Sequence, residues 1–510
     1  MDYLMGIDVG TTGTKTILMQ ESGRILSSNV QEYPLRTPRP NWAEQDPEDW
    51  WKATVKSINK VLSDSKIRGE NIKGIGLSGQ MHGAVFIDRN HKVLRPCILW
   101  CDQRTARQCE YVTEKIGKHR LIQLTCNPAL TGFTVGKVIW VRDNEPAVYQ
   151  NTFKILLPKD YIRFRLTGNF ATEVSDASGT LFLDVKKRKW SDEILKKLDI
   201  DRDLMPECFE SPVVSGKITS KASRLTGLKA GTPVVGGGGD NAAAAVGSGI
   251  VKEGMISSSI GTSGVVFAFS QKVKVDPSTR VHTFCHAVPG KWHVMGVMLS
   301  AGGSLRWFRD NLGAQEVEEA RKRNLDPYEV LIEKASTVPP GCEGLIFLPY
   351  LAGERTPHAD PNAKGVFFGL TLRHRKAHLI RSILEGVAFG LRDSLEIIRS
   401  MGISVKEVRA LGGGARSSLW RQMQTDIMNL EMATVNVTEG AAFGAAILAG
   451  VGTGVYDSVE EACDNLILIT SRTKPIRENV KVYHQYYKVY RSLYPALTLN
   501  FDKINNLITN

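Results

Sequence analysis

The chain lacks the cysteine spacings that hold metal ions or build disulfide frameworks. Its eight cysteines are scattered over 510 residues, and none belongs to a C-x-x-C pair. The Cys97–Cys101 spacing has no second pair to match it, and the neighbours Cys285 and His286 stand alone. Scattered cysteines in a long chain are typical of reduced thiols. The pattern argues against a zinc module and a disulfide-rich extracellular domain.

Long hydrophobic runs are also missing. The longest uncharged apolar stretch, Gly440–Tyr456, is short and rich in glycine, so it predicts a tightly packed interior helix rather than a membrane span. At the start of the chain, Asp2 and Asp8 interrupt the apolar residues and no basic segment precedes them, so we expect no signal peptide. These absences predict a cytoplasmic protein without a membrane partner.

Positive charge is in excess, because 65 lysines and arginines outnumber 53 aspartates and glutamates. Such an excess attracts nucleic acids, anionic membranes or anionic small molecules such as ATP. The densest basic run, Lys186–Lys189, has no interleaved aromatic residues. We interpret it as a solvated turn between a strand at 180–185 and a helix capped by Ser191. Nucleic acid is therefore not an expected partner.

The familiar phosphate-binding signatures are absent or misplaced. The chain contains no G-x-x-x-x-G-K-[ST] motif and no H-R-D and D-F-G set, which excludes a P-loop and a protein-kinase fold. One G-x-G-x-x-G match spans Gly74–Gly79, but it overlaps a predicted strand at 72–77 and leads into a second predicted strand at 84–88. A dinucleotide-binding turn has to open a helix, so we interpret this match as accidental.

Two similar glycine–threonine hairpins are present instead. The sequence GIDVGTTGTK places Asp8 near the end of an apolar strand that breaks at Gly10, and SSSIGTSGVVFAFS repeats the strand–turn–strand pattern around Gly261. The two glycines are separated by 251 residues, about half the chain. This repeat predicts two similar domains, 1–248 and 249–510, and the alternation of strands and helices predicts an α/β fold with mixed sheets.

The hairpins are candidate phosphate sites. Backbone N–H groups in a glycine-rich turn can bind an anion, and the hydroxyls of Thr11, Thr12 and Thr262 and the ammonium of Lys15 add donors. A single turn of this kind is equally explained as a tight hairpin, but two of them favour a phosphate site. A third glycine-rich turn, 411–418, joins a predicted strand to a predicted helix and is either a nucleotide floor or a connector.

Two carboxylates stand out. Asp8 either binds the turn amides beside it or faces a Mg²⁺ ion, directly or through a metal-bound water. Asp240 follows four glycines and opens an alanine-rich helix, so it is either an ordinary N-cap or a reactive group. Four successive glycines indicate close approach of the backbone to a ligand or another loop. A weak base in this position suffices for phosphoryl transfer to a hydroxyl, whose transition state is loose.

Taken together and in this order, the motifs resemble those of the FGGY carbohydrate kinases over essentially the whole chain. The resemblance implies two actin-like domains (ribonuclease-H-like, of the ASKHA superfamily) that close over ATP and a sugar in a central cleft. The resemblance rests on four motifs: the first hairpin, GGGGDN, the GTSG hairpin and GGGAR. Further matching segments are NWAEQDPEDWW (41–51), SGQMHG (78–83), LWCDQRT (99–105), LLPKDYIRFRLTG (156–168), SDASGTLFLDV (175–185) and PYLAGERTPH (349–358).

Within the family, QMHG and LLPKDY resemble the members that phosphorylate D-xylulose on its C5 hydroxyl in xylose catabolism. The resemblance implies that Asp240 takes the proton of that hydroxyl and that Asp8 faces Mg²⁺ and the transferring phosphate. The implied sugar contacts are Met81, His82, Asn241, Asp102 and Arg104. The implied phosphate contacts are Thr12, Lys15, Gly261 and Thr262, and the implied adenosine contacts are Gly302, Arg306, Gly414 and Ser418. Cys101 stands where the family often has asparagine.

Two alternatives remain open from the sequence. The first is a kinase of the same family for another sugar or polyol, such as ribulose, gluconate or glycerol, because one scaffold accepts different pockets. The second is an actin- or chaperone-like ATPase, which shares the paired hairpins but has no need of a sugar-facing carboxylate. The sequence itself fixes no oligomeric state, and a homodimer is our expectation.

Overall fold

Two seven-stranded sheets organise the computed structural model, which describes residues 2–509. The first sheet contains, in chain order, β1 (Tyr3–Val9), β2 (Gly13–Gln20), β3 (Ile25–Glu32), β4 (Ile72–Gly79), β5 (Val214–Lys217), β6 (Pro233–Val235) and β7 (Gly238–Gly239). The second contains β8 (Gly254–Ile260), β9 (Gly264–Ser270), β10 (His282–Cys285), β11 (Trp292–Met298), β12 (Val405–Gly412), β13 (Met432–Val435) and β14 (Ile469–Thr473).

The two sheets share one connectivity. In the first, β1 pairs antiparallel with β2, which pairs antiparallel with β3, while β4 lies parallel on the other side of β1. In the second, β8 pairs antiparallel with β9, which pairs antiparallel with β11, while β12 lies parallel on the other side of β8. The hairpin repeat in the sequence therefore corresponds to a repeat of sheet topology, and the expected two-domain α/β fold is confirmed.

Some helices cover the faces of these sheets, and others pack on neighbouring helices. The helices are α1 (Pro47–Ser65), α2 (Ala106–Ile116), α3 (Lys118–Thr125), α4 (Thr134–Asn144), α5 (Pro146–Asn151), α6 (Pro158–Thr167), α7 (Val174–Ala177), α8 (Asp192–Lys197), α9 (Ser220–Thr226), α10 (Asp240–Gly247), α11 (Gly302–Leu312), α12 (Ala314–Arg323), α13 (Pro327–Ser336), α14 (Lys376–Ser400), α15 (Ser418–Met428), α16 (Gly440–Gly452), α17 (Val459–Leu466) and α18 (Arg477–Thr509). No helix within residues 2–509 is long and apolar enough to cross a membrane.

Short strand pairs and single turns complete the fold. The pairs are Glu44–Gln45 with Cys97–Ile98, Val85–Ile87 with Lys154–Leu156, Ala171–Glu173 with Glu207–Phe209, Leu183–Asp184 with Lys189–Trp190, and Ile346–Leu348 with Val366–Phe368. The 3₁₀ turns are Ser178–Thr180, Arg202–Leu204, Cys342–Gly344 and Gly413–Ala415.

Side chains of β1 are buried on both faces of its sheet, as expected for a central strand. Met5 and Ile7 pack in the same cluster as Trp50 of α1, whereas Leu4 packs with residues of α16. Asp8 shares the face of Leu4, because side chains alternate along a strand. The sheet therefore places this carboxylate on the face that α16 covers.

Helix α16 comes from the second half of the chain but packs on the first sheet. A Cβ on Gly6 would lie 1.9 Å from the carbonyl oxygen of Ala442, and a Cβ on Gly76 would lie 1.8 Å from that of Ala445. The same helix crosses α10, where a Cβ on Gly444 would lie 1.8 Å from the carbonyl oxygen of Ala243. Only glycine permits such backbone approach, so residues 440–452 form the packed interior helix that the sequence predicts for the 440–456 stretch.

Most predicted elements form with shifted ends. The accidental G-x-G-x-x-G match lies inside β4, and Asp46 caps α1 by accepting from the amide of Glu48 at 3.0 Å. The strand expected at 180–185 is only Leu183–Asp184, because a 3₁₀ turn occupies Ser178–Thr180. The last helix continues to Thr509.

The contact between β4 and α16 generates a stability prediction. Gly76→Ala should lower the free energy of unfolding by about 3 kcal/mol, since the added methyl group meets a backbone oxygen that cannot turn aside. Urea denaturation of the variant measures this loss. Gly290→Ala is the matched control, because Gly290 has φ +68° and a Cβ there would meet no atom within 4 Å. It should cost only about 1–2 kcal/mol for the left-handed backbone, and equal losses would contradict this packing.

Candidate active site

Asp8 is a largely buried carboxylate whose bonding capacity is not used up by the protein. It lies opposite Lys15 on β2 and Ser78 on β4. Burial raises the pKa of Asp8 to about 6, an effect that the nearby Ser78 hydroxyl and Lys15 ammonium partly offset. Among residues 2–509, the buried Oδ1 atom has no hydrogen-bond partner. An unpaired buried acceptor is costly, which indicates that something outside the protein is bound there in the working state.

Asp240 is the first residue of α10 and not its N-cap. The interpretation of Asp240 as an ordinary N-cap is therefore wrong. Gly239 occupies the cap position, and the Oδ1 atom of Asp240 accepts from the backbone N–H of Asn241 at 2.7 Å and from its Nδ2 at 2.9 Å. The Asn241 side chain therefore orients this carboxylate. The Oδ2 atom makes no hydrogen bond with the described residues.

Asp8 and Asp240 interact electrostatically. Burial and, as a smaller effect, the negative charge of Asp8 raise the pKa of Asp240 to about 7. Hydrogen bonds from Asn241 act in the opposite direction, because they favour the ionised form. A carboxylate with a pKa near 7 is suited to accept a proton at neutral pH. The pair therefore places one carboxylate that can accept a proton at neutral pH beside a second acidic group.

Met81 and His82 lie against the glycine run that precedes Asp240. Met81 is buried, and a Cβ on Gly239 would lie 3.0 Å from its Cγ and Sδ atoms. His82 has φ +70°, a left-handed conformation that is strained for a residue with a Cβ. Its ring packs edge-on against Phe133, with 4.9 Å between centroids. Backbone strain held in place by packing is typical of functional sites.

The protonation state of His82 follows from its contacts. Its Nδ1 atom lies 2.8 Å from the carbonyl oxygen of Gly179, so Nδ1 carries the hydrogen and donates. Burial and the Lys137 ammonium hold the pKa of His82 well below its usual value. Lys137 donates to the carbonyl oxygen of His82 at 2.8 Å. The imidazole is therefore neutral, and Nε2 is left as a hydrogen-bond acceptor.

Asp102 and Arg104 lie in the same domain, but they are bonded to each other. The Nη2 atom of Arg104 lies 2.6 Å from Oδ2 of Asp102, and the side chains are 1% and 0% exposed. Arg104 also pairs with Glu44 at 2.7 Å and stacks on Trp42, with its Cζ atom 3.5 Å from the ring centroid. Asp102 further accepts from the amide of Ala43 at 2.7 Å. This geometry favours support of the 41–44 loop over a direct sugar contact.

The first hairpin offers free donors to an anion. Within residues 2–509, the backbone N–H groups of Thr11 and Thr12 donate to no protein acceptor, and Thr12 is exposed. The Thr11 hydroxyl accepts from Trp100 Nε1 at 3.0 Å, and the Thr11 carbonyl accepts from Gln45 Nε2 at 2.7 Å. Lys15 forms an ion pair with Glu439, the residue that precedes α16. Lys15 thus links the first sheet to the helix from the second half.

A cavity of about 710 Å³ lies at the second hairpin. That volume is sufficient for a nucleoside. The residues predicted to contact adenosine or its phosphates from this half all line it: Gly261, Thr262, Gly302, Arg306, Gly414 and Ser418. The structure adds Tyr328 and Ile332 of α13 as an aromatic and an aliphatic wall, together with three carboxylates, Asp326, Glu329 and Glu333. The glycine-rich turn at 411–418 is therefore part of a pocket wall.

Sequence reasoning missed two groups near the sugar-side residues. Gly179 receives the His82 hydrogen bond, and a Cβ there would lie 2.5 Å from the His82 ring, so the position requires glycine. Arg355 lies close enough to His82 and His282 to lower the pKa of both. Its guanidinium makes no hydrogen bond or ion pair with the described residues. Gly179 and Arg355 both lie in segments that resemble the FGGY family, and this resemblance is the sequence feature that could have indicated them.

Comparison with known families accounts for both halves of the chain. Residues 3–247 match the model of the N-terminal domain of the FGGY family of carbohydrate kinases, and residues 256–453 match the model of its C-terminal domain. The chain belongs to the FGGY family of carbohydrate kinases.

Individual FGGY kinases resemble the chain over nearly its full length. It is 42% identical to the xylulose kinase of Escherichia coli (strain K12), covering 97% of this chain and 99% of that protein. It is 40% identical to the xylulose kinase of Bacillus subtilis (strain 168), covering 97% of each. The crystal structure of ligand-bound xylulose kinase from Lactobacillus acidophilus superimposes with a TM-score of 0.92 at 26% identity, over 99% of this chain and all of that one.

FGGY kinases generally use a divalent metal, and this site fits a metal that binds Asp8 together with nucleotide phosphates. No group of three or more His, Cys, Asp or Glu side chains within residues 2–509 is arranged to hold a metal ion. The unpaired Oδ1 of Asp8 is a hard oxygen ligand of the type that Mg²⁺ prefers. Mg²⁺ commonly keeps several waters and binds through one or two carboxylates together with nucleotide phosphates. The donor set suits a nucleotide-borne metal and not a permanent protein cage.

The raised pKa of Asp240 generates a pH-dependent stability prediction for this FGGY kinase. In the unfolded chain the group titrates near 3.8, and in the folded protein near 7. Folding therefore becomes less favourable as the pH rises from 3.8 to 7, because the buried group has to lose its proton. Asp240→Asn removes this penalty and should raise the free energy of unfolding at pH 8 by an amount on the order of 2 kcal/mol.

Thermal unfolding at pH 4 and pH 8 checks this prediction. The stabilisation should disappear at pH 4, where the wild-type carboxyl is protonated in the folded state. Asp192→Asn, at an exposed position in α8, should change stability little at either pH. A destabilised Asp240→Asn variant at pH 8 would contradict a raised pKa.

Proposed function

We propose that the protein transfers the γ-phosphate of ATP to the C5 hydroxyl of D-xylulose, giving D-xylulose 5-phosphate. The observation that carries this proposal is that Asp240 lies within electrostatic reach of Asp8 and directly follows Gly239, which contacts Met81, the chain neighbour of His82. The named relatives, both xylulose kinases and both covered almost completely, support the choice of sugar.

Asp240 is the proposed general base. Its Oδ1 atom is occupied by two donors from Asn241, which leaves Oδ2 to accept the proton of the sugar hydroxyl. Asp8 helps to keep the pKa of this base raised. Its negative charge disfavours ionisation of Asp240 and so increases the proton affinity of Asp240. Little negative charge has to form on the hydroxyl before phosphoryl transfer, so a base of this strength suffices.

The two hairpins are the proposed phosphate cradle. The free N–H groups of Thr11 and Thr12 and the exposed loop of Gly261 and Thr262 supply neutral donors that match phosphate oxygens. Lys15 can add positive charge if its ion pair with Glu439 opens. Asp8 is the proposed protein ligand of Mg²⁺, either directly or through water. Bound there with ATP, the metal would neutralise charge on the transferring phosphate.

The sugar is proposed to be held by Met81, His82 and Asn241. The neutral His82 accepts a hydrogen bond from a sugar hydroxyl at Nε2, while Gly179 orients the ring through Nδ1 and Lys137 holds the backbone carbonyl of His82. Arg355 offers an unpaired guanidinium to the same pocket. Asp102 and Arg104 are proposed to act indirectly, by holding the loop at 41–44. Water competes with the sugar as acceptor, so we expect the site to assemble fully only with sugar bound.

The domain boundary at residues 248 and 249, the homodimer and the cytoplasmic location stay predictions. The same holds for the choice among FGGY substrates, which a panel of acceptors tests directly. ATP consumption should be fastest with D-xylulose and far slower with D-ribulose, L-ribulose, gluconate and glycerol. Faster turnover with one of the others would replace the proposed sugar, and ATP hydrolysis that no sugar stimulates would favour an actin- or chaperone-like ATPase.

The base assignment predicts the effect of Asp240→Asn on catalysis. Phosphorylation should fall by about 10³-fold or more, since the hydroxyl loses its proton acceptor. ATP affinity, measured by equilibrium dialysis, should stay within about twofold because the nucleotide cavity is separate. Asp192→Asn should retain full activity. Near-normal turnover of Asp240→Asn would refute the assignment.

The sugar contact of His82 predicts an uneven effect on the two substrates. His82→Asn should raise the KM for sugar by about 10-fold or more, the loss expected for a hydrogen bond to a bound hydroxyl, while the KM for ATP stays nearly constant. Asparagine tolerates the left-handed backbone, so His82→Asn removes the imidazole with little added backbone strain. His82→Ala adds more strain at this position, and its KM values are measured for comparison. Equal increases in both constants would argue against the contact.

A further inference from the structure

Two of the family-like segments, 156–168 and 175–185, together with the nearby Glu173, contribute to a buried cluster of charge that no substrate contact explains. Lys159 lies at the centre, with its Nζ atom 2.7 Å from Asp160, 3.1 Å from Asp176 and 3.5 Å from Glu173. Arg163 pairs with Asp160 at 2.6 Å. All five side chains have no exposed surface.

Stability is a weak reason for such a cluster. Replacing buried ion pairs by well-packed apolar residues is often neutral or stabilising. The cluster here contains two cations and three carboxylates, and burial raises the pKa of Asp176, so that a protonated Asp176 leaves the charges balanced. What the cluster does provide is rigid attachment for the backbone around it.

The attached backbone is the bridging segment, residues 173–180, which contains α7 and the 3₁₀ turn after it. Glu173 accepts from the amides of Ser175 and Asp176 at 2.7 and 2.8 Å, which fixes the first turn of the segment. Glu173 also accepts from the hydroxyl of Ser211 at 2.9 Å.

The first end of the bridging segment holds the loop of the proposed base. The Ser175 hydroxyl accepts from the backbone N–H of Gly239 at 3.0 Å and donates to Glu173 Oε1 at 2.9 Å. Gly239 immediately precedes Asp240. Arg163 adds a second attachment, because it donates to the carbonyl oxygen of Gly236 at the start of the glycine run. The glycines themselves have no side chains to pack, so this loop depends on such external contacts.

The other end of the bridging segment holds the proposed sugar contact. The carbonyl oxygen of Gly179 accepts from His82 Nδ1 at 2.8 Å and so orients the imidazole. Only three residues lie between Ser175 and Gly179. One short rigid segment therefore contacts both the loop of the group that takes the proton and the group that holds the sugar.

We propose that the bridging segment sets the distance between His82 and Asp240 and thereby selects the sugar by the separation between its held hydroxyl and its reacting hydroxyl. Ser175 is then a positioning residue that acts through Gly239. This inference rests on the proposed function, since it concerns the same sugar site. A sugar one carbon longer or shorter would place its terminal hydroxyl away from Asp240, and misplacement of this size slows a reaction severely.

Ser175→Ala tests the proposal, with Thr172→Val as its matched control. Thr172 lies on the strand that enters the bridging segment, is 1% exposed, and its hydroxyl has no hydrogen-bond partner within the described residues. Both variants remove one buried hydroxyl from the same region, but only Ser175→Ala cuts the link to Gly239. Melting temperatures measured for both show whether the fold is kept.

The expected result for Ser175→Ala is a kcat that falls by about 10-fold to 100-fold, with the KM for ATP nearly unchanged. The preference for the five-carbon ketose over four- and six-carbon ketoses should shrink by a similar factor. The acid limb of the kcat/KM profile should move to lower pH, because a loosened Asp240 is better hydrated. Thr172→Val should leave all three readouts as in the wild type.

The outcomes separate this inference from the function on which it rests. Wild-type protein that phosphorylates no ketose refutes the proposed function. Active wild-type protein whose kcat, chain-length preference and pH profile all survive Ser175→Ala refutes the positioning role. A Ser175→Ala variant with a lower melting temperature but unchanged kcat, chain-length preference and pH profile shows a purely structural contact and also refutes it.

Discussion

Two negatively charged groups that repel each other are held together in the interior of this protein, and much of the site depends on that arrangement. Asp8 lies near the end of the central strand of the first sheet, and Asp240 begins the helix that leaves the same sheet. Burial raises the pKa of Asp8 to about 6, and burial together with the negative charge of Asp8 raises the pKa of Asp240 to about 7. The energetic cost of this pair is acceptable only if the pair is useful, because a folded protein gains nothing from unpaired buried charge.

Glycine makes the arrangement sterically possible. Gly6 and Gly76 let a helix from the second half lie directly on the first sheet, so that its start, marked by the Lys15–Glu439 ion pair, reaches the carboxylates. The glycine run before Asp240 lets Met81 pack against the backbone of the same loop. Because these glycines cannot fix their own conformation, the bridging segment and its buried charges supply the rigidity that the loop lacks.

The features that could be predicted from the sequence are the local ones. The Gly-Thr hairpins, the strand ending at Asp8 and the glycine run before Asp240 depend on residues adjacent in the chain, and their recurrence indicated two similar halves. The adenosine side was accessible through the family resemblance, and the residues that the resemblance implied there line one cavity.

The features that could not be predicted depend on partners distant in the chain. Asp102 and Arg104 look like free polar residues in sequence, yet they pair with each other and with Glu44. The Gly179 contact of His82 joins residues 97 positions apart, and the wall contributed by Tyr328 comes from a helix with no motif. Such contacts are fixed by tertiary packing, which patterns in a single sequence do not predict.

The coupling between the two carboxylates is tested most directly by titrating Asp240 itself. Carbon-13 NMR of aspartate-labelled protein, with the Asp240 signal assigned by its loss in Asp240→Asn, gives the pKa in the wild type and in Asp8→Asn. We predict a pKa near 7 in the wild type and a clearly lower one in Asp8→Asn, because the repelling charge is gone. A wild-type value close to the ordinary 3.8, or one that Asp8→Asn leaves unchanged, would contradict this coupling.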